Sequence, residues 1–356
     1  MEQQRRDFLD RLLETPSPSG FEVEGQRVWV DDVEEFADEV RTDAYGNAVA
    51  VYEGGDPEVA LTGHADEIGF IVRRIDDDGF VHLGRIGGSD ASVSRGQHIT
   101  IHTADGPVEG VIGQSAIHLR DRDDDEVDEI WKQRADVGAE DGEHARELVE
   151  VGDPITFASG VRDLEGTRVS ARGLDNRIGT WAAAEGLRRA VEADVNATVY
   201  AVSTVQEELG KRGAQMVGFD LAPDAAIAVD VTHATDYTSA KEEPATKKEA
   251  DVELGGGPVI ARGSSNHPEL VRAVRDAADG AELPVQLQAT GISTGTDADA
   301  FYTSRGGIPS LNVGVPNRYM HTPVEVIDTD DLVATADLLG AFAERASEYD
   351  GFAVEI

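Results

Sequence analysis

Apolar residues open the chain at helical spacing. Phe8, Leu9, Leu12 and Leu13 predict a helix over Arg5 to Glu14, ended by the turn Thr15-Pro-Ser-Pro-Ser-Gly20. A second helix is expected around Val28 to Phe36. The pattern then changes to short apolar runs, and Asn47 to Tyr52 and Glu58 to Gly63 read as strands. From about Phe70 to Phe157 the texture is different again. Alternating segments at Gly79–Leu83, His98–His102 and Val108–Ile112, separated by Asp-Gly or Gly-rich turns, predict a compact β module. Within it, Asp121 to Glu126 reads as a solvated loop. After Arg172 the α/β rhythm returns. Arg177 to Val191 forms an Ala-rich helix, Thr198–Thr204 and Ala225–Asp230 form buried strands, and a helix over about Asp330 to Glu348 closes the chain. The expected fold class is α/β, a mixed sheet flanked by helices with an inserted small β-barrel-like domain. The expected boundaries assign residues 1–69 and 160–356 to the α/β domain and 70–159 to the insert.

Composition narrows the picture. Hydrophobic residues make up 40% of the 356 positions, enough for a sizeable core. No stretch has the length and apolarity of a membrane span, and the first forty residues lack a signal-peptide pattern, so a soluble, cytoplasmic protein is expected. Cysteine is absent, which excludes disulfides, thiolate metal sites and a cysteine nucleophile. The formal charge of −39 is dispersed along the chain, and only five of its 31 basic residues are Lys. That pattern points to a halophilic protein, because at about 1 M salt the Debye length falls to about 3 Å and surface carboxylates repel one another little. The same charge excludes nucleic acid as a partner, since phosphate binding needs a basic face.

Five segments, most of them just after a β-like run, carry metal-capable side chains: His64-Ala-Asp66, Leu174-Asp175-Asn176, Glu207-Glu208, Asp230 and His321. In open α/β sheets, sites gather at the carboxyl ends of strands, where residues distant in sequence converge. Taken singly, each has a plainer reading. His64 can be an ordinary His held by a neighbour, Asp175 can cap the following helix, and Glu207-Glu208 can be a solvated acidic pair. Asp230 can be a turn residue and His321 a surface His. The other seven histidines, at positions 82, 98, 102, 118, 144, 233 and 267, have no comparable setting, His233 being the least clear. Ser203, Ser264 and Ser293 lack a Gly-x-Ser-x-Gly elbow, and Gly255-Gly-Gly-Pro258 lacks the Gly-Lys-Ser/Thr of a phosphate loop.

Taken in order, the segments resemble the tetrahedral (TET) aminopeptidases, metallopeptidases related to glutamyl and deblocking aminopeptidases. The resemblance runs from Thr15–Phe21 through Gly63–Phe70, Gly173–Arg177, Gln206–Gly210 and Gly295–Ala298 to Gly314–His321. It implies two divalent metal ions per subunit, zinc or cobalt with manganese as a looser fit. Asp175 would bridge them, His64 and Asp230 would complete one site, and Glu208 and His321 the other. Glu207 would be the general acid/base, Asp66 a carboxylate behind His64, and Gly291–Asp297 part of the pocket wall. The implied substrates are short peptides trimmed from the N-terminus. The implied assembly is a homo-oligomer in which dimers build a dodecamer through the inserted β domain. Two other functions compete. A glycoside hydrolase could use paired carboxylates such as Glu207 with Asp175 or Asp230, but it leaves His64 and His321 without a role. A non-catalytic scaffold would be expected to have lost Glu207 or a ligand.

Overall fold

A computed structural model describes residues 1–119, 127–242, 250–349, 351–354 and 356. Its centre is an eight-stranded mixed sheet. The strands run, edge to edge, Glu39–Thr42, Ala48–Tyr52, Thr198–Thr204, Glu58–His64, Ala225–His233, Ser310–Asn317, Val259–Arg262 and Gln286–Ala289. Four of these lie side by side and parallel: Thr198–Thr204, Glu58–His64, Ala225–His233 and Ser310–Asn317. Their near-continuous apolar sequences follow from burial on both faces.

Alternation along the strands divides the core between the two faces. Ala48, Ala50, Val59, Leu61, Val199, Ala201 and Ile227 pack against the helices Gln3–Glu14, Leu174–Ala193, Pro268–Gly280 and Thr329–Arg345. Val49, Val51, Ala60, Val202 and Ala226 face Arg212–Leu221 and Ala298–Thr303 on the other side. The second helix begins at Val23, five residues before the expected Val28. Its first turn exposes Val23 and Glu24 and buries Gly25 and Gln26, so no apolar side chain faces inward there to give a periodic signal.

The β module is a closed six-stranded barrel. Its strands are Gly69–Ile75, Val81–Ile86, Arg134–Asp136, Gly106–Ile112, His98–Thr103 and Pro154–Phe157, in that order around the wall. Phe70 and Phe157 meet edge to face inside it, with ring centroids 5.3 Å apart. Closure removes the free strand edges that an open sheet of this composition would present. Asp121–Glu126, expected to be a loop, lies outside the described residues. A three-stranded sheet of Arg162–Asp163, Arg168–Ala171 and Glu325–Asp328 returns the chain from the barrel and carries a residue important to the site.

Candidate metal centre

The carboxyl ends of the parallel strands bring the metal-capable side chains together. His64 ends one strand, Glu207 and Glu208 follow the next, and Asp230 lies late in a third. Asp175 arrives at the start of the long helix Leu174–Ala193, which crosses the sheet closely. A β-carbon on Gly63 would lie 2.2 Å from the carbonyl carbon of Gly179, so only glycine permits that approach.

Asp175 occupies the centre of the cluster. Its Oδ1 lies 3.3 Å from His64 Nε2, and its Oδ2 lies 3.2 Å from His321 Nε2. His64 Nε2 is also 3.8 Å from Asp230 Oδ1, and His321 Nε2 is 3.2 Å from Glu208 Oε1. Two groups of three potential donors result, His64–Asp175–Asp230 and Asp175–Glu208–His321, with Asp175 common to both. The helix-capping role open to Asp175 is filled instead by Asn176. The Asn176 Oδ1 accepts from the Gly179 N–H at 3.1 Å, while its Nδ2 donates to the carbonyl of Val229, next to Asp230.

Asp66 is wholly buried and engaged on every side. Its Oδ1 lies 3.3 Å from His64 Nδ1 and accepts from the Glu207 N–H at 2.9 Å. Its Oδ2 accepts from the Glu208 N–H at 3.1 Å and from the Ser19 hydroxyl at 2.7 Å. One carboxylate therefore orients the imidazole and fixes the backbone of both glutamates. Behind it, Glu67 is buried between Arg172 and Arg177 and accepts from both.

The electrostatics suit a divalent-cation site. Burial pushes the Glu207 carboxyl up to about 9, with Asp297, Asp230 and Glu208 adding to the effect and His64 opposing it. Burial likewise raises Asp230 to about 8, helped by Asp175 and opposed by His64. Asp175 goes the other way. Burial alone would raise it, but hydrogen bonds from His321 and His64 hold it well below the usual carboxylate range. Burial would lower His321, but hydrogen bonds to Asp175 and Glu208 carry it to about 11. Carboxylates and imidazoles packed this densely are donors that exchange protons for a metal ion. The donor set is nitrogen and oxygen only, which matches zinc, cobalt or manganese.

The chain matches the M42 glutamyl aminopeptidase family over residues 46–338. It belongs to that family. The lysyl aminopeptidase of Pyrococcus furiosus is 34% identical over 348 residues, covering 97% of this chain and 98% of the relative. Among solved structures, the TET aminopeptidase of a marine sediment Thaumarchaeota archaeon superposes with a TM-score of 0.90 at 31% identity, covering 97% of each chain. The Pyrococcus horikoshii TET1 peptidase, which can assemble into a tetrahedron or a large octahedral shell, gives 0.84 at 31% identity, with 95% of this chain and 99% of that one covered. M42 peptidases are metal-dependent, and this chain is a metal-dependent aminopeptidase, a hydrolase acting at peptide N-termini.

Glu325, which sequence reasoning passed over, also belongs to the M42 site. Glu325 is 1% exposed, and its two oxygens accept from the backbone N–H groups of Asp175 and His321, each at 2.9 Å. It thereby ties together two of the potential donor residues. The grip on His321 matters because that residue holds a left-handed φ of 62°, as do Tyr319 at 64° and, beside Glu207, Gln206 at 57°. Asp297 is buried, accepts from Thr204 Oγ1 at 2.5 Å and is pushed up to about 6 by burial. His233 lines the cavity at the site together with Thr232, Gln288, Thr290, Thr294 and Thr296. Arg318 does not face that cavity. Its Nε and Nη2 donate to the two oxygens of Asp236 at 2.7 and 2.6 Å, a forked pair that pins it. Gly255 and Gly257 form a turn whose N–H groups both donate to the Asp331 carboxylate at 2.7 Å. Among the described residues no helix is long and apolar enough to cross a membrane.

Proposed function

We propose that the chain is a co-catalytic dinuclear aminopeptidase that removes N-terminal residues from short peptides. The observation that carries the reading is the shared carboxylate, Asp175, between two three-donor groups. His64, Asp175 and Asp230 would hold one divalent ion; Asp175, Glu208 and His321 would hold the other. When bound, such ions act as Lewis acids that polarise the scissile carbonyl and lower the pKa of water. Glu207 belongs to neither group, although its Oε2 lies 4.0 Å from His64 Nε2. That leaves it free to take a proton from the attacking water and deliver it to the leaving amine. Asp66 holds the His64 ring and the Glu207 backbone in place during both transfers. The cavity of about 290 Å³ against the sheet receives the side chain of the N-terminal residue.

Residues 1–69 and 160–356 act as the catalytic domain, and residues 70–159 mediate assembly, dimers building a dodecamer. The likeness to a peptidase with tetrahedral and octahedral assemblies supports this reading. Light scattering in molar KCl tests it, and a lone monomer overturns it. The dispersed charge of −39 supports a working environment of high salt. For the chemistry, the test is hydrolysis of aminoacyl-p-nitroanilides and of a cellulosic substrate, before and after chelation and with zinc, cobalt or manganese restored. Chelator-sensitive release of p-nitroaniline supports the proposal. Cleavage of the glycan that survives the chelator would favour the glycoside-hydrolase alternative.

A further inference from the structure

His321 and Met320 stand between two cavities. The smaller one contains the metal-donor cluster and the threonine-rich wall. The larger, about 800 Å³, is formed on its far side by the barrel and is lined there by Arg73, Arg85 and Trp131. An exopeptidase needs room for one side chain on the amino side of the scissile bond and for the rest of the peptide on the other. The two sizes suit those two tasks in that order.

Basic residues are outnumbered 70 to 31 by acidic ones. Arg172, Arg177, Arg188, Arg189 and Arg318 are all ion-paired. The guanidinium groups of Arg73 and Arg85 make no ion pair or hydrogen bond among the described residues, as is also true of Arg95, Arg162, Arg168, Arg262 and Arg275, but these two line the cavity beside His321. Local structure explains why Arg73 reaches the cavity. The register between Gly69–Ile75 and Val81–Ile86 shifts between Val72 and Arg74, leaving Arg73 as the extra residue of a β-bulge. A bulge re-aims one side chain without ending the strand. Gly84, opposite Ile71 in the ladder, also lines the cavity and adds no side chain to fill it. Two carboxylates share the lining, Asp90 and Glu129. Asp90 Oδ1 is occupied by the N–H and hydroxyl of Ser92.

We propose that Arg73 and Arg85 form a carboxylate subsite that receives the C-terminus of short peptide substrates. The proposal rests on the aminopeptidase reading above and adds a substrate class to it, short peptides with a free C-terminal carboxylate. A peptide whose first residue occupies the smaller cavity extends past His321 toward the two guanidinium groups. Hydrogen bonds from guanidinium to carboxylate are charge-assisted and often forked, which selects a planar carboxylate over an amide.

The experiment compares Leu-Gly-Gly, Leu-Gly-Gly-amide and Leu-Gly-Glu-amide as substrates for the metal-loaded enzyme and for Arg73→Gln, Arg85→Gln and the double variant. The expected result for the unmodified enzyme is a kcat/KM for the free acid about 10- to 100-fold above that for the amide, the range of a hydrogen bond to a charged group, expressed mainly in KM. In the double variant that ratio falls toward one. Because the ratio is internal to each protein, partial loss of folded enzyme cancels from it. Equal rates on acid and amide in the unmodified enzyme overturn the proposal, as does a ratio that survives both substitutions. A preference for Leu-Gly-Glu-amide without one for the free acid also overturns it, since the subsite would then read an acidic side chain. If no substrate is cleaved by the metal-loaded enzyme, the aminopeptidase reading fails instead, so the two failures are distinguishable.

Discussion

The α/β part and the barrel bury different kinds of residue. The barrel interior is apolar, built from Phe70, Val72, Leu83, Ile99, Ile101, Ile155 and Phe157. The α/β part buries Asp66, Glu67, Arg172, Asp175, Arg177, Asp230, Asp297 and Glu325, all below a tenth of their full exposure. Burying charge is expensive unless it is paired, hydrogen-bonded or metal-bound, so its concentration in one region marks where the chemistry resides. The barrel contributes shape instead. A β-carbon on Gly88 would lie 2.5 Å from His321 Nδ1, so the barrel loop closes directly over a potential donor. Its Arg73 and Arg85 line the larger cavity that His321 also borders.

The largest expected effect separates the two regions most sharply. Glu207→Gln keeps the shape of the site but removes the proton carrier, and kcat should fall by about 10²–10⁴-fold. Circular dichroism and metal content should stay near those of the unmodified protein. Glu325→Gln should act more gently. It replaces one of two carboxylate acceptors with an amide donor facing a backbone N–H, and we expect about a 10- to 100-fold loss in metal affinity or activity. Equilibrium dialysis with zinc would measure it, and an unchanged affinity would reduce Glu325 to a packing role.

Stability tests break the comparison from the other side. Glu67→Gln leaves Arg172 and Arg177 buried against a neutral group and should destabilise by about 3–5 kcal/mol, with activity lost alongside. Phe157→Ala empties part of the barrel core and should destabilise by a similar amount, about 3–5 kcal/mol. In that variant the protein that stays folded should retain its proton chemistry. Denaturant unfolding combined with activity per folded molecule distinguishes the two. The smallest effect belongs to Arg318→Ala. The Asp236 pair already occupies the guanidinium, so the ratio of Glu- to Leu-p-nitroanilide hydrolysis should change by less than about twofold. A large drop in that ratio would give Arg318 a part in specificity.

Much of this architecture was legible because burial on both faces leaves unbroken apolar runs. Thr198–Thr204 and Ala225–Asp230 read as strands for that reason, and the acidic residues following them stood out. The barrel was legible through alternation and turns. Other features left no comparable trace. Glu325 sits in a four-residue strand, and its partners are backbone N–H groups, which carry no sequence signature. The bulge at Arg73 arises from a register shift between strands, a property of the pair rather than of either strand alone. Asn176 takes the capping role that the pattern offered to Asp175, and only the backbone path distinguishes them. His233 lines the cavity because the strand Ala225–His233 continues three residues past Asp230.

The central claim is that Asp175 joins two cation sites, and metal stoichiometry tests it most directly. Chelated protein in molar KCl is titrated with zinc by calorimetry while aminopeptidase activity is followed on the same samples. The account predicts two equivalents per chain for the unmodified protein, one for His321→Ala and a severe loss of both for Asp175→Asn, with activity tracking the doubly loaded form. A single equivalent in the unmodified protein, or full activity after the metal has been stripped, would contradict it.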